Sequence, residues 1–133
     1  MNPKIIAIIG ALIAAVGVGL GAFGAHGLED ALRKLGYESD LAKRLAWFET
    51  AVRYQLYHAI GLIAVAALAA IFTGSGFRAA AIAFLVGIAL FSGSLYGTTF
   101  LGDEWRKLGM ITPLGGLSLI IGWVLVAIAA WRS

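Results

Sequence analysis

The sequence predicts an all-α integral membrane protein, a four-helix bundle with an amphipathic interfacial helix before the second span. Four apolar runs are long enough, or nearly so, to cross a bilayer as helices: residues 5–25, 56–72, 79–101 and 110–131. Hydrophobic residues make up 61% of the chain and charged residues 13%, about half the charged share of a soluble domain. We expect residues 1–133 to form a single four-span membrane domain.

The composition excludes several other classes of protein. The chain has no cysteine, which removes disulfides, thiolate catalysis and iron–sulfur clusters. Its net charge is only +3, and no basic run exceeds two residues, so we expect no nucleic-acid partner. A soluble helical protein would need polar helix faces, but residues 5–16 and 59–72 have none. The expected partner is the lipid bilayer.

The long connection between the first two runs predicts two helices of its own. Gly36 is suited to end a short helix that carries Leu28, Leu32 and Leu35 on one face. Ser39 is a plausible N-cap for the helix that follows. Apolar residues recur in that helix at three- and four-residue spacing: Leu41, Leu45, Phe48, Val52 and Leu56. Asp40, Lys43 and Arg44 fall on other faces, which is typical of a helix at the membrane interface that runs directly into the second span.

The remaining connections are shorter. A tight turn is predicted at residues 73–78, between the second and third spans. Thr112 and Pro113 predict the start of the fourth helix, with Thr112 as N-cap and Pro113 at the first helical position.

Lysine and arginine predict the orientation. We call the membrane side that holds residues 26–54 and 102–109 side B, and the side that holds both termini side A. Side B carries Arg33, Lys34, Lys43, Arg44, Arg53, Arg106 and Lys107, whereas side A carries Lys4, Arg78 and Arg132. Positive residues favour the cytoplasm. We therefore expect side B in the cytoplasm and both termini outside.

The side A halves of the spans are almost purely aliphatic, whereas the side B halves hold most polar side chains. The candidates for a polar cluster are His26, Glu49, Arg53, Tyr54, Tyr57, His58, Ser94, Tyr96 and Thr112. Polar groups avoid acyl chains, so these side chains are expected to point into the bundle and face one another or water. They predict either a cavity open to side B or a hydrogen-bonded plug that only fixes helix register.

His26 and His58 are at similar depth, which permits proton carriers or two axial ligands of a b-type haem. Nothing else demands haem, and a two-histidine metal site lacks a clear carboxylate partner. The sequence has no Ser-His-Asp grouping, catalytic acid pair or phosphate-binding loop. We therefore assign no catalytic residue, metal or cofactor, and expect a protein that is not an enzyme.

Small residues form stripes that favour close helix packing in lipid. The candidate packing glycines are Gly17, Gly21, Gly24, Gly93, Gly97 and Gly122. Packing within one chain is the simpler interpretation, and self-association through the same stripes is the alternative.

Four segments together resemble a known family: residues 21–27 (GAFGAHG), 48–59 (FETAVRYQLYHA), 91–96 (FSGSLY) and 112–116 (TPLGG). They resemble the small bacterial inner-membrane proteins of uncharacterised family 0382 (the domain of unknown function 423), to which eukaryotic transmembrane protein 256 is related. The resemblance runs nearly end to end and implies a multi-span membrane protein, without implying an activity. This chain differs from the family pattern after Tyr96, where Gly97, Thr98 and Thr99 are more polar.

Two functions follow as hypotheses. The first is a non-enzymatic accessory or scaffold component that associates with other membrane proteins. The second is a binding or transport module for a small solute, a proton or a lipid head group, with a polar cavity lined by His26, Glu49, Arg53 and His58. An enzyme or redox subunit ranks behind both.

Overall fold

The computed structural model describes residues 1–72 and 76–133, which fold mainly into helices. The helices are α1 (Pro3–His26), α2 (Leu28–Lys34), α3 (Leu41–Ile71), α4 (Gly76–Phe100) and α5 (Thr112–Trp131). A 3₁₀ helix, Asp103–Met110, joins α4 to α5. Helices α1, α3 and α4, and the segment that ends with α5, are long and apolar enough to cross a membrane. The predicted all-α fold with four candidate membrane spans is confirmed.

Local sequence explains where the first two helices begin and end. The Asn2 side-chain oxygen accepts a hydrogen bond from the Lys4 amide at 3.0 Å, and Pro3 stands where a helix needs no amide hydrogen. Gly36 ends α2 as predicted, with φ at +86°, in the left-handed region that glycine adopts without strain. The Tyr37 amide then donates to the Leu32 carbonyl at 3.0 Å, which closes the helix end.

Two predicted N-caps are wrong: Ser39 does not cap α3, and Thr112 does not cap α5. Asp40, not Ser39, precedes α3, and its carboxylate accepts hydrogen bonds from Arg44 instead of from helix amides. Ile111 precedes α5, so Thr112 is already helical and its hydroxyl bonds to Ser94. The turn predicted at residues 73–78 lies partly outside the described residues.

The long helices pack in the order α1–α3–α4–α5, each mainly against the next. Helices α1 and α3 are antiparallel, since Gly10 lies against Leu62 and Gly17 against Leu56. The main core contains side chains from all four helices, and Phe77 and Phe84 of α4 are fully buried in it. A second, smaller cluster lies at the side B end around α2.

This second cluster changes the interpretation of the predicted interfacial helix. The helix is continuous with the second span, as expected, because α3 runs unbroken from Leu41 to Ile71. Its apolar face, however, packs inside the protein: Phe48 and Val52 are buried against Leu28 and Leu32 of α2. Arg44, expected on a polar face, is 3% exposed. The interfacial position of this segment stays a prediction.

The glycines divide between close contacts and open positions. A Cβ atom on Gly17 would lie 2.8 Å from the Leu56 side chain, and one on Gly24 would lie 3.1 Å from Phe48, so both permit the close approach of α1 to α3. Gly21 is less crowded, at 3.5 Å from Val52. Gly97 lies against Leu108 and Gly122 against Phe84.

Gly93 does not belong with the packing glycines, because nothing lies within 4 Å of its Cβ position. Among the described glycines, the one closest to the backbone of another helix is outside the predicted set. A Cβ on Gly115 of α5 would lie 2.3 Å from the backbone nitrogen of Phe91 in α4. Backbone meets backbone there, so the two helices can approach this closely only because residue 115 has no side chain.

Candidate functional site

A groove of about 820 Å³ lies between α1 and α3 beside the start of α2. We call it the α1–α3 groove. Its polar lining consists of His26, Glu29, Asp30, Glu49 and Arg53. Its apolar lining consists of Gly21, Gly24, Ala25, Leu28, Leu45, Phe48, Val52 and Leu56. The volume is within the range of about 300–1,000 Å³ that is usual for small-molecule sites.

The two ends of the groove lie at different depths in the membrane. Helix α3 has 31 residues, whereas about 20 residues cross the hydrocarbon core. Counting back roughly 20 residues from Ile71 places the side B boundary near Val52. This count predicts Glu49 and Arg53 at head-group level, and His26, at the end of α1, at a similar depth. The deepest lining residue of α3 is Leu56, about one helical turn inside that boundary.

The charges at the mouth of the groove are only partly neutralised within the protein. Arg53 donates to the carboxylate of Glu49, and both side chains are more than half exposed. Glu29 accepts a hydrogen bond from Arg33 at 2.8 Å, and this bond together with Glu38 raises the pKa of the Arg33 guanidinium. In the part of the chain that the structure describes, Asp30 makes no ion pair.

His58 lies on the other side of α3, where it links α3 to α5. Its Nδ1 is 2.7 Å from the Tyr54 carbonyl oxygen, and its Nε2 accepts a hydrogen bond from the Trp123 indole at 3.2 Å. A carbonyl can only accept and an indole N–H can only donate, so the imidazole is neutral, with its hydrogen on Nδ1. Both ring nitrogens are therefore used, and neither can serve as a haem or metal ligand in this arrangement.

Gln55 joins three helices at a similar depth. It is 5% exposed, and its side-chain amide donates to the Ile13 carbonyl of α1 at 3.0 Å. The amide oxygen accepts from the Tyr96 hydroxyl of α4 at 2.8 Å. An amide in the hydrocarbon needs both kinds of partner, and α1 and α4 supply one each. Gln55 thus fixes the position of α3 between its two neighbours.

Serine hydroxyls link the remaining helix pairs. Ser92 of α4 donates to the Ala51 carbonyl of α3, and Ser118 of α5 donates to the Ala83 carbonyl of α4, both at 2.8 Å. The hydroxyl of Ser94 is 2.6 Å from that of Thr112. Across residues 1–72 and 76–133, no buried side-chain nitrogen or oxygen lacks a hydrogen-bond partner. The polar groups between α3, α4 and α5 therefore satisfy one another.

Arg44 closes the side B end of α4. Its Nη1 donates to the carbonyl oxygens of Thr98, Thr99 and Leu101 at 2.9–3.1 Å, and its Nε donates to Asp40 at 2.9 Å. The guanidinium also lies 3.6 Å from the centre of the Tyr37 ring. Helix C-termini leave carbonyls without partners and carry partial negative charge, so a buried cation at this point compensates both.

The predicted polar cluster is therefore not one inward-facing site. His26, Glu49 and Arg53 are exposed and line the α1–α3 groove. His58 and Tyr54 contact α4 and α5 on the other side of α3. Tyr57 is 58% exposed, so it does not point into the bundle. Tyr96 bonds to Gln55, and Ser94 to Thr112.

The two histidines share no hydrogen bond or ring contact among the described residues. A cavity lined by both His26 and His58 is therefore wrong, and only His26 lines the groove. The helix face of His26 therefore differs from the prediction, and the depth of the residues in the membrane stays a prediction. Glu29 and Asp30 of α2 are exposed and form part of the groove mouth.

Comparison with known proteins agrees with the membrane assignment. The family model described as "Protein of unknown function (DUF423)" matches residues 20–116. The UPF0382 membrane protein YwdK of Bacillus subtilis is 44% identical over 96% of this chain and 96% of its own length. A UPF0382 membrane protein of Haemophilus influenzae is 40% identical over 87% of this chain and 85% of its own length.

The UPF0382 inner membrane protein YgdD of Escherichia coli is 30% identical over 99% of this chain and 93% of its own length. No solved structure matches the chain. The chain belongs to the DUF423 family of UPF0382 membrane proteins.

Proposed function

We propose that this DUF423 protein is a non-enzymatic component of the bacterial inner membrane that binds one membrane lipid in the α1–α3 groove. The observation that carries the proposal is the composition of the groove along its length. The deepest part of the lining, formed by Gly21, Val52 and Leu56, is apolar, whereas the part nearer side B carries the charged side chains among Leu28, Leu45 and Phe48. An amphiphile has the same division between a polar head and an apolar tail.

The other polar groups argue against a second binding site within the bundle. Tyr96, Gln55 and Ser92 bond to other helices, and both nitrogens of His58 are occupied. A ligand at these positions would have to replace protein–protein hydrogen bonds. The groove side chains Asp30 and His26 have no such bonds to lose among the described residues. An accessory role beside other membrane proteins is compatible with lipid binding and would build on it.

Filling the groove tests the proposal. Ala25 is exposed at the mouth of the groove, and Ala22 is exposed on α1 outside its lining. We expect Ala25→Trp to occupy the space of the lipid, while Ala22→Trp adds the same indole without blocking it. Each protein is extracted from membranes in mild detergent, and native mass spectrometry counts the lipids it retains.

Wild type and Ala22→Trp are expected to retain one lipid, and Ala25→Trp to lose most of it. Equal retention by the two tryptophan variants, or no lipid on wild type, would contradict lipid binding in the groove. Co-purification of a second protein species with all three would favour the accessory or scaffold role.

We further propose that side B faces the cytoplasm and that both termini lie outside, because side B carries the larger share of lysine and arginine. The absence of cysteine from the sequence makes the test direct. Single cysteines at positions 2 and 103 are treated with a membrane-impermeant thiol reagent in intact cells. Labelling at position 2 but not at 103 is expected, and the reverse pattern would invert the topology.

A further inference from the structure

The charged side chains at the mouth of the α1–α3 groove indicate which lipid head group would fit there. The lining holds the three carboxylates of Glu29, Asp30 and Glu49, against one guanidinium, Arg53, and one imidazole, His26. Glu29 is bonded to Arg33 and Glu49 to Arg53. Asp30 is left with its charge uncompensated by any ion pair within the described residues.

We propose that the α1–α3 groove selects a zwitterionic aminophospholipid, whose ammonium group meets Asp30 and Glu49 and whose phosphate meets Arg53 and His26. This inference rests on the proposed function, since it names the head group of the lipid in the same groove. An ammonium group offers three N–H donors, and carboxylates accept them in short, charge-assisted hydrogen bonds. The phosphate of the same head group accepts from the guanidinium.

The same charges disfavour the other common head groups. An anionic lipid without an amine brings its phosphate to a mouth where carboxylates outnumber the guanidinium, so the acids repel it. A choline head group carries a quaternary ammonium with no N–H to donate, and proteins bind it with several aromatic rings. The only aromatic side chain in the lining of the described groove is Phe48, which is 2% exposed and packed in the cluster around α2.

The Glu49–Arg53 pair gives the groove a means to accommodate both head-group charges. The two residues are one helical turn apart and already share a hydrogen bond. A zwitterion can insert between them, because its ammonium replaces the guanidinium beside Glu49 and its phosphate replaces the carboxylate beside Arg53. Glu49 and Arg53 thus each keep a partner of opposite sign when the lipid is bound, which an anionic lipid cannot achieve.

A competition experiment tests the head-group selection. The purified full-length protein in mild detergent receives equal amounts of phosphatidylethanolamine, phosphatidylcholine and phosphatidylglycerol with identical acyl chains. Native mass spectrometry then measures the share of each lipid on the protein. We expect phosphatidylethanolamine to exceed each of the other two by roughly threefold to tenfold, the effect of one charge-assisted hydrogen bond at a partly exposed site.

Three variants assign the selection to the groove. Asp30→Asn is expected to lower the ratio of phosphatidylethanolamine to phosphatidylcholine, while total bound lipid stays close to the wild-type amount. Glu49→Gln releases Arg53 from its pair and is expected to shift binding toward phosphatidylglycerol. Glu104→Gln removes one negative charge from the 3₁₀ helix, outside the groove, and is expected to leave all ratios unchanged.

The outcomes separate this inference from the proposed function. If wild type retains none of the three lipids, lipid binding itself fails. If it retains all three equally and Ala25→Trp removes them, the groove binds lipid and the head-group selection is wrong. A preference for phosphatidylglycerol on wild type would also overturn the selection. If one variant folds poorly, the wild-type ratios together with the other variant still decide the question.

Discussion

The two sides of α3 carry similar polar residues in different surroundings. On the side toward α4 and α5, each buried polar group bonds to another helix, as His58 does to Trp123. On the side toward α1 and α2, Glu49 and Arg53 are exposed beside a groove, and Asp30 has no ion pair in the described chain. Polar residues within one stretch of helix can thus be structural on one face and available to a ligand on the other.

This comparison gives a criterion that can be tested by substitution. Changes on the α4–α5 side of α3 should lower the stability of the fold and leave lipid retention in the surviving protein unchanged. Changes on the groove side should alter lipid retention and leave stability unchanged. A substitution that alters both stability and lipid retention would contradict this division between the two sides of α3.

The largest effect on stability is expected at Arg44. Arg44→Met removes the donors to three carbonyls at the end of α4 and the hydrogen bonds to Asp40. A hydrogen bond to a charged group contributes about 1.5–3 kcal/mol, and several are lost together. Thermal unfolding in detergent, followed by circular dichroism, measures the change. The control is Lys43→Met, which alters an exposed neighbour and should have little effect; equal losses for both variants would contradict a specific role of Arg44.

A smaller loss is expected where α4 and α5 touch through their backbones. Gly115→Ala places a methyl group 2.3 Å from the Phe91 nitrogen, so the helices must separate. Overpacking of this kind costs about 1–3 kcal/mol, and a rigid backbone contact favours the upper end. Gly116→Ala is the matched control, because its Cβ would lie an ordinary 3.6 Å from the Phe91 ring. Equal thermal midpoints for the two variants would show that α5 can shift freely.

Most of the fold could be predicted from the sequence, because the physics of the bilayer leaves few choices. Long apolar runs must become helices, so α1, α3, α4 and α5 follow from hydropathy, and Gly36 follows from the need to end α2. The position of Arg44 could not be predicted, since periodicity alone placed it on a polar face. Its burial depends on the end of α4 arriving 54 to 57 residues later in the chain.

The candidate site could be predicted less well, because it too depends on contacts between helices that are distant in the sequence. The sequence shows how deep His26, Glu49 and His58 lie along their helices, but not which neighbour each helix face meets. The order α1–α3–α4–α5 separates the two histidines, and no local pattern encodes that order. Gln55 carries a clear signal in the sequence, because an amide deeper than any charge in α3 must find partners on other helices.

Substitution of His58 is expected to lower the stability of the fold by an intermediate amount, because His58 lies on the α4–α5 side of α3. His58→Phe leaves the Trp123 indole without its acceptor and removes the bond to Tyr54, at a cost of about 1 kcal/mol. His58→Gln keeps an acceptor and should be closer to wild type. A double-mutant cycle with Trp123→Phe in thermal unfolding measures the coupling between the two side chains.

Lipid retention by the folded His58→Phe protein should equal that of wild type. Nitrogen-15 NMR of labelled histidine provides an independent check, since a neutral imidazole with its hydrogen on Nδ1 is expected for His58. Loss of lipid in His58→Phe, or an imidazolium signal at neutral pH, would place His58 with the groove residues and break the division between the two sides of α3.

The smallest effect on stability is expected at the Glu49–Arg53 pair, where the comparison is sharpest. Exposed ion pairs one turn apart contribute less than about 0.5 kcal/mol, so Arg53→Gln should unfold almost as wild type does. The same substitution removes the guanidinium at the groove mouth, and retained lipid measured by native mass spectrometry should fall roughly threefold. Lys34→Gln, which removes an exposed positive charge outside the groove lining, controls for the loss of a positive charge on side B. If Arg53→Gln instead destabilised the protein as much as His58→Phe, the pair would be part of the structural framework, and the polar residues on both sides of α3 would serve the fold alone.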